Sequence, residues 1–380
     1  MFKEYRIAQI GEVVGGGTPA SGTDEYWNGD IPWITPKDLT GHTNVYISYG
    51  ENNITKAGLN KSGTRLLPKN TVLFSSRAPI GYVAIASNPI CTNQGFKSII
   101  CDEKLIDPLY LYYYIKANLD YFKLWGSGAT FPEISGNAMK RIKIRIFDNI
   151  DVQKRIAASL YAYDKLIEVN NKRIKVLEQM AENLYKEWFV RFRFPGHETA
   201  EFENGIPKGW KIIRCKDIVP VLTGKKDANY GDEGGSYPFF TCAQESIQAP
   251  DYSFDCDAVL LAGNCDLNAK VYKGKFEAYQ RTYVLSPHNI THLFLLYYVI
   301  KDNVERLKQA STGAAISFIT KGMIERIHFL MPSNELLVKF HSIMDGFYTQ
   351  KDVLVKQNKN LIVQRDLLLP RLMSGKLEVS

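Results

Sequence analysis

Leu111-Tyr112-Tyr113-Tyr114-Ile115-Lys116 returns 185 residues later as Leu296-Tyr297-Tyr298-Val299-Ile300-Lys301. Working outward from that pair, other fragments recur in the same order. Ser127-Gly128-Ala129-Thr130 and Arg141-Ile142 are answered by Thr312-Gly313-Ala314-Ala315 and Arg326-Ile327 at the same offset. Upstream, Val72-Leu73-Phe74 is matched by Val259-Leu260-Leu261, and Ile31-Pro32-Trp33-Ile34-Thr35 by Tyr237-Pro238-Phe239-Phe240-Thr241. Tyr5-Arg6-Ile7 and Gly11-Glu12-Val13-Val14 align with Trp210-Lys211-Ile212 and Lys216-Asp217-Ile218-Val219 at an offset of 205. Shared order along both halves marks a duplication, and the drifting offset says that one copy carries longer loops between common strands.

Within each copy, short β-branched and aromatic runs such as Thr71 to Phe74, Tyr82 to Ala86 and Phe96 to Ile100 are bounded by Gly, Pro and Asn, which predicts strands. Pro108 to Leu124 has the spacing of a helix, with Asp107 placed to cap it and Pro108 at the first helical position. The fold class is therefore mixed α/β (α+β), with two similar globular domains.

After each copy the sequence changes character and becomes rich in Lys, Glu, Leu and Asn. From about Asp151 to Val190, a 3.5-residue period runs through Ile156, Leu160, Tyr163, Ile167, Asn170, Ile174, Leu177, Ala181, Leu184 and Trp188. From about Asn334 to Leu369 the same spacing picks out Phe340, Met344, Phe347, Lys351, Leu354, Asn358, Leu361, Arg365, Leu368 and, beyond it, Leu372, with Pro370 expected to end or kink the helix. Laid antiparallel so that paired numbers sum to 528, every seam position meets a seam position. Asn170 then faces Asn358, Trp188 faces Phe340, Ala181 faces Phe347, Tyr163 faces Arg365 and Leu160 faces Leu368. Two long helices in an antiparallel coiled coil are expected, with a matched asparagine layer setting register. The alternative is that each helix packs only on its own module. The domain scheme is residues 1–150, a first helix over 151–194, a second globular domain over 195–333 and a second helix over 334–380.

A chain of 380 residues with 45% hydrophobic and 23% charged residues buries its cores without disulfides or metals. Its net charge of +7 permits an anionic partner. The six cysteines (Cys91, Cys101, Cys215, Cys242, Cys256, Cys265) form no C-x-x-C pair and are expected as free thiols. Nothing resembles a signal peptide, and the longest apolar run, Leu293 to Ile300, is too short to cross a bilayer, so a cytoplasmic location is expected.

Catalytic signals are weak. Asp107-Pro108-Leu109-Tyr110 is better explained as a helix cap than as an amino-methyltransferase loop, and Gly15-Gly16-Gly17 and Gly234-Gly235 lack phosphate-cradling spacing. His288 and His292 stand four apart without a third ligand, and Asp102-Glu103-Lys104 reads as a solvated turn. No metal site and no catalytic residue are expected.

The alternation of two modules with two helices, together with Ile31-Pro32-Trp33-Ile34-Thr35, Arg77-Ala78-Pro79-Ile80-Gly81, Asn93-Gln94-Gly95-Phe96 and Ser127-Gly128-Ala129-Thr130, resembles the specificity subunits of type I restriction-modification systems. The helix ends, Leu184-Tyr185-Lys186-Glu187-Trp188-Phe189-Val190 and Leu368-Leu369-Pro370-Arg371-Leu372-Met373-Ser374-Gly375-Lys376, resemble that family's repeats as well. The resemblance implies that each module reads one half of a split double-stranded DNA target. It also implies that the helices act as a ruler and dock two modification subunits, with restriction/translocase subunits beyond them. Methyl donor, ATP and Mg are then expected only in partner subunits, with no cofactor in this chain.

Arg, Asn and Gln can pair with base edges in the major groove. The candidates for DNA contact are Lys37, Arg77, Asn93, Gln94, Ser127 and Thr130 in the first module, and Lys225, Lys226, Gln244, Asn264, Gln280, Arg281 and Thr312 in the second. Lys225 and Lys226, like Lys140, Arg141, Lys143 and Arg145, suit phosphate contacts. Two other readings stay open: a stand-alone DNA methyltransferase or nuclease, which turnover without partners would reveal, and a protein-binding adaptor, which salt-insensitive behaviour toward DNA would reveal.

Overall fold

The structure is a computed structural model that describes residues 1–378 except 129, 131, 265–266 and 311–317. Ala129, Cys265 and the candidate Thr312 therefore lie outside the described residues. The chain divides into two compact units, Met1–Lys172 with Leu354–Ser380, and Arg173–Val353. Each unit contains one globular module and half of each long helix.

In the first unit, a five-stranded sheet runs in the order Gly11–Gly15, Lys97–Cys101, Val72–Phe74, Val83–Ala86, Tyr46–Ile47. A three-stranded sheet places Trp27–Ile34 between Asn52–Ile54 and Cys91–Thr92. The second unit joins the equivalent strands into one six-stranded sheet, ordered Val221–Thr223, Thr282–Leu285, Phe254–Ala262, Ala269–Ala278, Tyr237–Phe240, Ile247–Ala249. The difference has a local cause. In the first copy Pro89 falls between Val83–Ala86 and Cys91–Thr92 and cannot donate to a ladder, whereas Ala269–Ala278 has no proline and runs through.

The ladders correct the alignment of the copies near their starts. Arg6 pairs with Lys143 and Arg214 with His328, so the true correspondence there is Arg6 with Arg214, an offset of 208 and not 205. The backbone bonds Ile7 N–H to Ile142 C=O and Cys215 N–H to Ile327 C=O, both 2.9 Å, agree. The residue types of Tyr5-Arg6-Ile7 matched Trp210-Lys211-Ile212, but hydrogen bonding sets the register. The extra length of the first copy lies between Ile34 and Val72, where it adds the edge strand Tyr46–Ile47 and a short helix, Lys56–Asn60.

Asp107 caps the helix Pro108–Ala117, its carboxylate accepting from Tyr110 N–H at 2.8 Å. The predicted single helix to Leu124 is broken at Asn118 (φ −120°, ψ 26°), and Leu119–Lys123 continues as a separate turn. Breaking the axis lets Phe122 turn inward to full burial against Phe74, ring centroids 5.7 Å apart.

The first long helix spans Ile150–Tyr185 and closes in a π-helical turn, Lys186–Val190. The second spans Asn334–Met373, three residues past Pro370. The carbonyl that Pro370 leaves without a donor belongs to Asp366; both residues are exposed, so water can satisfy it. All twenty residues of the two seams are buried or half-buried.

In the first unit the seam is antiparallel: Asn170 Nδ2 donates to Asn358 Oδ1 at 2.9 Å, and Asn358 Nδ2 donates to Asn171 Oδ1 at 2.8 Å. One layer differs from expectation. Arg365 pairs with the buried Asp164, which also accepts from Tyr113 Oη at 2.5 Å, and not with Tyr163. A desolvated guanidinium needs an anion, and the adjacent carboxylate satisfies it better than a phenol. Ile156, Leu160, Leu372 and Met373 join the same core as Tyr110 and Tyr113, so this stretch packs on its partner helix and its module together.

In the second unit Phe340 lies against Trp188 and Phe189 (centroids 5.8 and 4.7 Å), and Lys351 pairs with Glu178 at 2.6 Å. Ala181, Tyr185 and Met344 share a core with Phe294 and Leu296 of the module helix Leu293–Ala310. Among the described residues no helix is long and apolar enough to cross a membrane, and no group of His, Cys, Asp and Glu could hold a metal ion.

Candidate DNA-reading interface

Three loops meet at one end of the first module's sheet. Ser76 N–H donates to Gly95 C=O at 2.7 Å, and Ile134 N–H donates to Ser76 C=O at 3.0 Å. These two bonds bring residues 75–81, 93–97, 126–128 and 132–134 together, and with them four candidates: Arg77, Asn93, Gln94 and Ser127. Asn93 Oδ1 accepts from Gly95 N–H at 2.9 Å and shapes its own loop. Gln94 is exposed and accepts from Thr18 Oγ1. Ser127 bridges Glu133 through both backbone groups, at 3.0 and 2.9 Å. Thr130 is exposed in the same loop.

Two residues at this site escaped the sequence reading. Glu133 lies 3.5 Å from Arg77 and 3.1 Å from Lys97, and so ties two loops together through one carboxylate. Lys97 was hidden inside a predicted strand, and Glu133 is 36 residues from it; only the sheet brings them together. Lys37 is not part of this cluster by its charge, since its Nζ pairs with Glu51 at 2.7 Å, which raises its pKa. Lys143 and Arg145 lie on the outer ladder, where Lys143 pairs with Glu4 at 2.9 Å and Arg145 lies over the Phe2 ring.

The second module repeats the arrangement. Gly263 N–H donates to Arg281 C=O at 2.8 Å, and Ile319 N–H donates to Gly263 C=O at 3.0 Å. Asn264, Gln280, Arg281 and Lys226 converge there, with Gln280 N–H donating to Lys226 C=O at 2.9 Å. Gly263, Gln280, Arg281, Tyr283 and Ile319 line a cavity of about 300 Å³. Cys242 Sγ donates to Asn264 Oδ1, which brings the loop of Gln244 to the same rim. Lys226 Nζ sits 4.0 Å from the Tyr230 ring centroid, and contact with the Tyr230 hydroxyl raises its pKa. Lys225 is exposed.

The matched backbone bonds align the copies residue by residue. Gln94 corresponds to Gln280, Arg77 to Asn264, Lys97 to Tyr283 and Glu133 to Phe318. The charged trio of the first module is therefore a neutral trio in the second. A common frame thus presents different side chains in the two modules.

Comparison with known proteins agrees. The family described as the type I restriction modification DNA specificity domain matches residues 1–179 and again 207–364. The type I restriction enzyme MjaIX specificity subunit of Methanocaldococcus jannaschii is 35% identical over 98% of this chain and 93% of its own length. The EcoDI specificity subunit of Escherichia coli is 43% identical over 34% of this chain and 29% of its own length. The crystal structure of a type I restriction-modification S subunit from M. genitalium shares the fold, with a TM-score of 0.68 at 16% identity, covering 100% of this chain and 97% of that one. With both halves matched and a relative similar along nearly the whole length, this chain belongs to the type I restriction-modification DNA specificity family, as a non-catalytic specificity subunit with two target-recognition domains.

Proposed function

We propose that each module docks its three-loop rim on one half of a bipartite double-stranded DNA target, and that the long helices set the distance between the halves. The observation that carries this reading is the pair of equivalent rims, built on the same backbone bonds and bearing different polar side chains. Helices of 36 and 40 residues rise on the order of 55 Å at 1.5 Å per residue, about 16 base pairs at 3.4 Å each.

The helices also dock two modification subunits, with restriction/translocase subunits in the larger complex. Exposed apolar residues support a docked partner: Leu166, Val363 and Leu367 on the helix segments of the first unit, and Val176, Met180 and Val353 on those of the second. Methyl donor, ATP and Mg belong to those partners, and the complex works in the cytoplasm, where the DNA is.

Methylome sequencing of the host with and without the gene tests the reading. A split motif is expected to lose methylation with the gene, and an unchanged methylome would refute the assignment. Binding of the purified chain to DNA should weaken steeply with salt, log K falling by about 0.9 per phosphate contact for each unit of log salt concentration.

A further inference from the structure

Ser76 and Gly263 make the same two backbone bonds, with N–H donors 2.7 and 2.8 Å from the Gly95 and Arg281 carbonyls and with carbonyls accepting from Ile134 and Ile319 at 3.0 Å. The residue that follows is thus held at the same place in each module. It is Arg77 in the first and Asn264 in the second. The flanking glutamines, Gln94 and Gln280, are identical and exposed. Whatever distinguishes the two half-sites at this point must come from the pair that differs.

We propose that Arg77 reads a guanine in one half-site and that Asn264 reads an adenine at the corresponding position of the other; the proposal rests on the DNA-specificity reading above. A guanidinium fork matches the O6 and N7 acceptors of guanine, and a carboxamide matches the N6 donor and N7 acceptor of adenine. Two observations favour base edges over phosphates. Glu133, 3.5 Å from Arg77, repels a phosphate but steadies the guanidinium, whose side chain remains 38% exposed for an incoming base. Asn264 Oδ1 is held by the Cys242 thiol, a weak donor that a base edge displaces at little cost.

The test uses the full chain and a duplex library randomised over both half-sites, with bound and unbound fractions sequenced at two salt concentrations. Wild type is expected to require G·C at one position that R77A relaxes and A·T at one position that N264A relaxes, each by roughly 10- to 100-fold. R77K, which keeps the charge but replaces the planar fork with a single ammonium, should retain the salt dependence and weaken the guanine preference without abolishing it, whereas R77N should move it toward adenine. Melting curves of the variants identify any that fail to fold, and the conservative R77K then carries the test. Uniform weakening across all sequences, or a relaxed base other than guanine for Arg77 or adenine for Asn264, overturns the proposal. A consensus unchanged by R77A and N264A sinks this assignment alone; a wild-type chain that selects no consensus sinks the DNA-specificity reading and the assignment with it.

Discussion

Asp164→Asn is expected to destabilise the first unit strongly. The Asp164 side chain is 4% exposed and holds Arg365, whose side chain is 14% exposed; it also accepts from the Tyr113 hydroxyl at 2.5 Å. Removing one partner of a buried pair costs ~3–5 kcal/mol, because the other charge stays out of water without compensation. Arg365 retains Asp366 at 2.8 Å, so the cost should fall near the lower end, about 3 kcal/mol. For a unit of roughly 200 residues, at about 2–4 °C per kcal/mol, that lowers the melting transition by ~6–12 °C in calorimetry of the full chain.

The second unit carries Tyr348 and Ala181 at the equivalent layer, 184 residues from Asp164 and Arg365 along each helix, and Tyr348 packs on Tyr297 there with ring centroids 6.2 Å apart. The layer therefore tolerates an uncharged solution. D164L/R365M together should melt within about 1 kcal/mol of wild type, or above it. If D164N alone shifts the transition by less than about 2 °C, the pair is not desolvated and the reasoning fails.

Three further outcomes follow from the same geometry. Asn170→Leu leaves Asn358 Oδ1 without its donor while Asn358 Nδ2 keeps Asn171, and should cost ~1–3 kcal/mol in urea denaturation, with N170L/N358L recovering most of it; equal losses in both would argue against the polar layer. Burial lowers the pKa of His292 and His341 from 6.5, with Lys273 adding to the effect at His341, and both Nδ1 atoms lack a partner among the described residues. The unfolded chain therefore takes up these protons first, so stability of the second unit is full above about pH 6.5 and falls as pH drops below it. H341F should flatten that profile, and an unchanged slope would exclude His341 as its source. Inserting one heptad in each long helix adds about 10 Å, and the unread spacer of the methylated motif should lengthen by about 3 base pairs; unchanged spacing would end the ruler reading.

Periodicity and repetition were legible in the amino-acid sequence because they are local. Period 3.5 put all twenty seam residues on inward-facing positions, and the sum of 528 paired Asn170 with Asn358, since a helix spaces its side chains by the same rule wherever it sits. Recurring fragments revealed two modules, because duplicated strands keep their residue types. What the sequence left undecided depends on contacts between distant segments. Strand register moved the first match from 205 to 208, because ladder hydrogen bonds and not residue likeness decide which backbone atoms face each other. Asp164 displaced Tyr163 as the partner of Arg365 because desolvation penalises an unpaired charge, a quantity that exists only once the core closes around it. The Glu133 bridge to Arg77 and Lys97, and the match of Arg77 with Asn264, likewise arise when the sheets carry three remote loops to one rim.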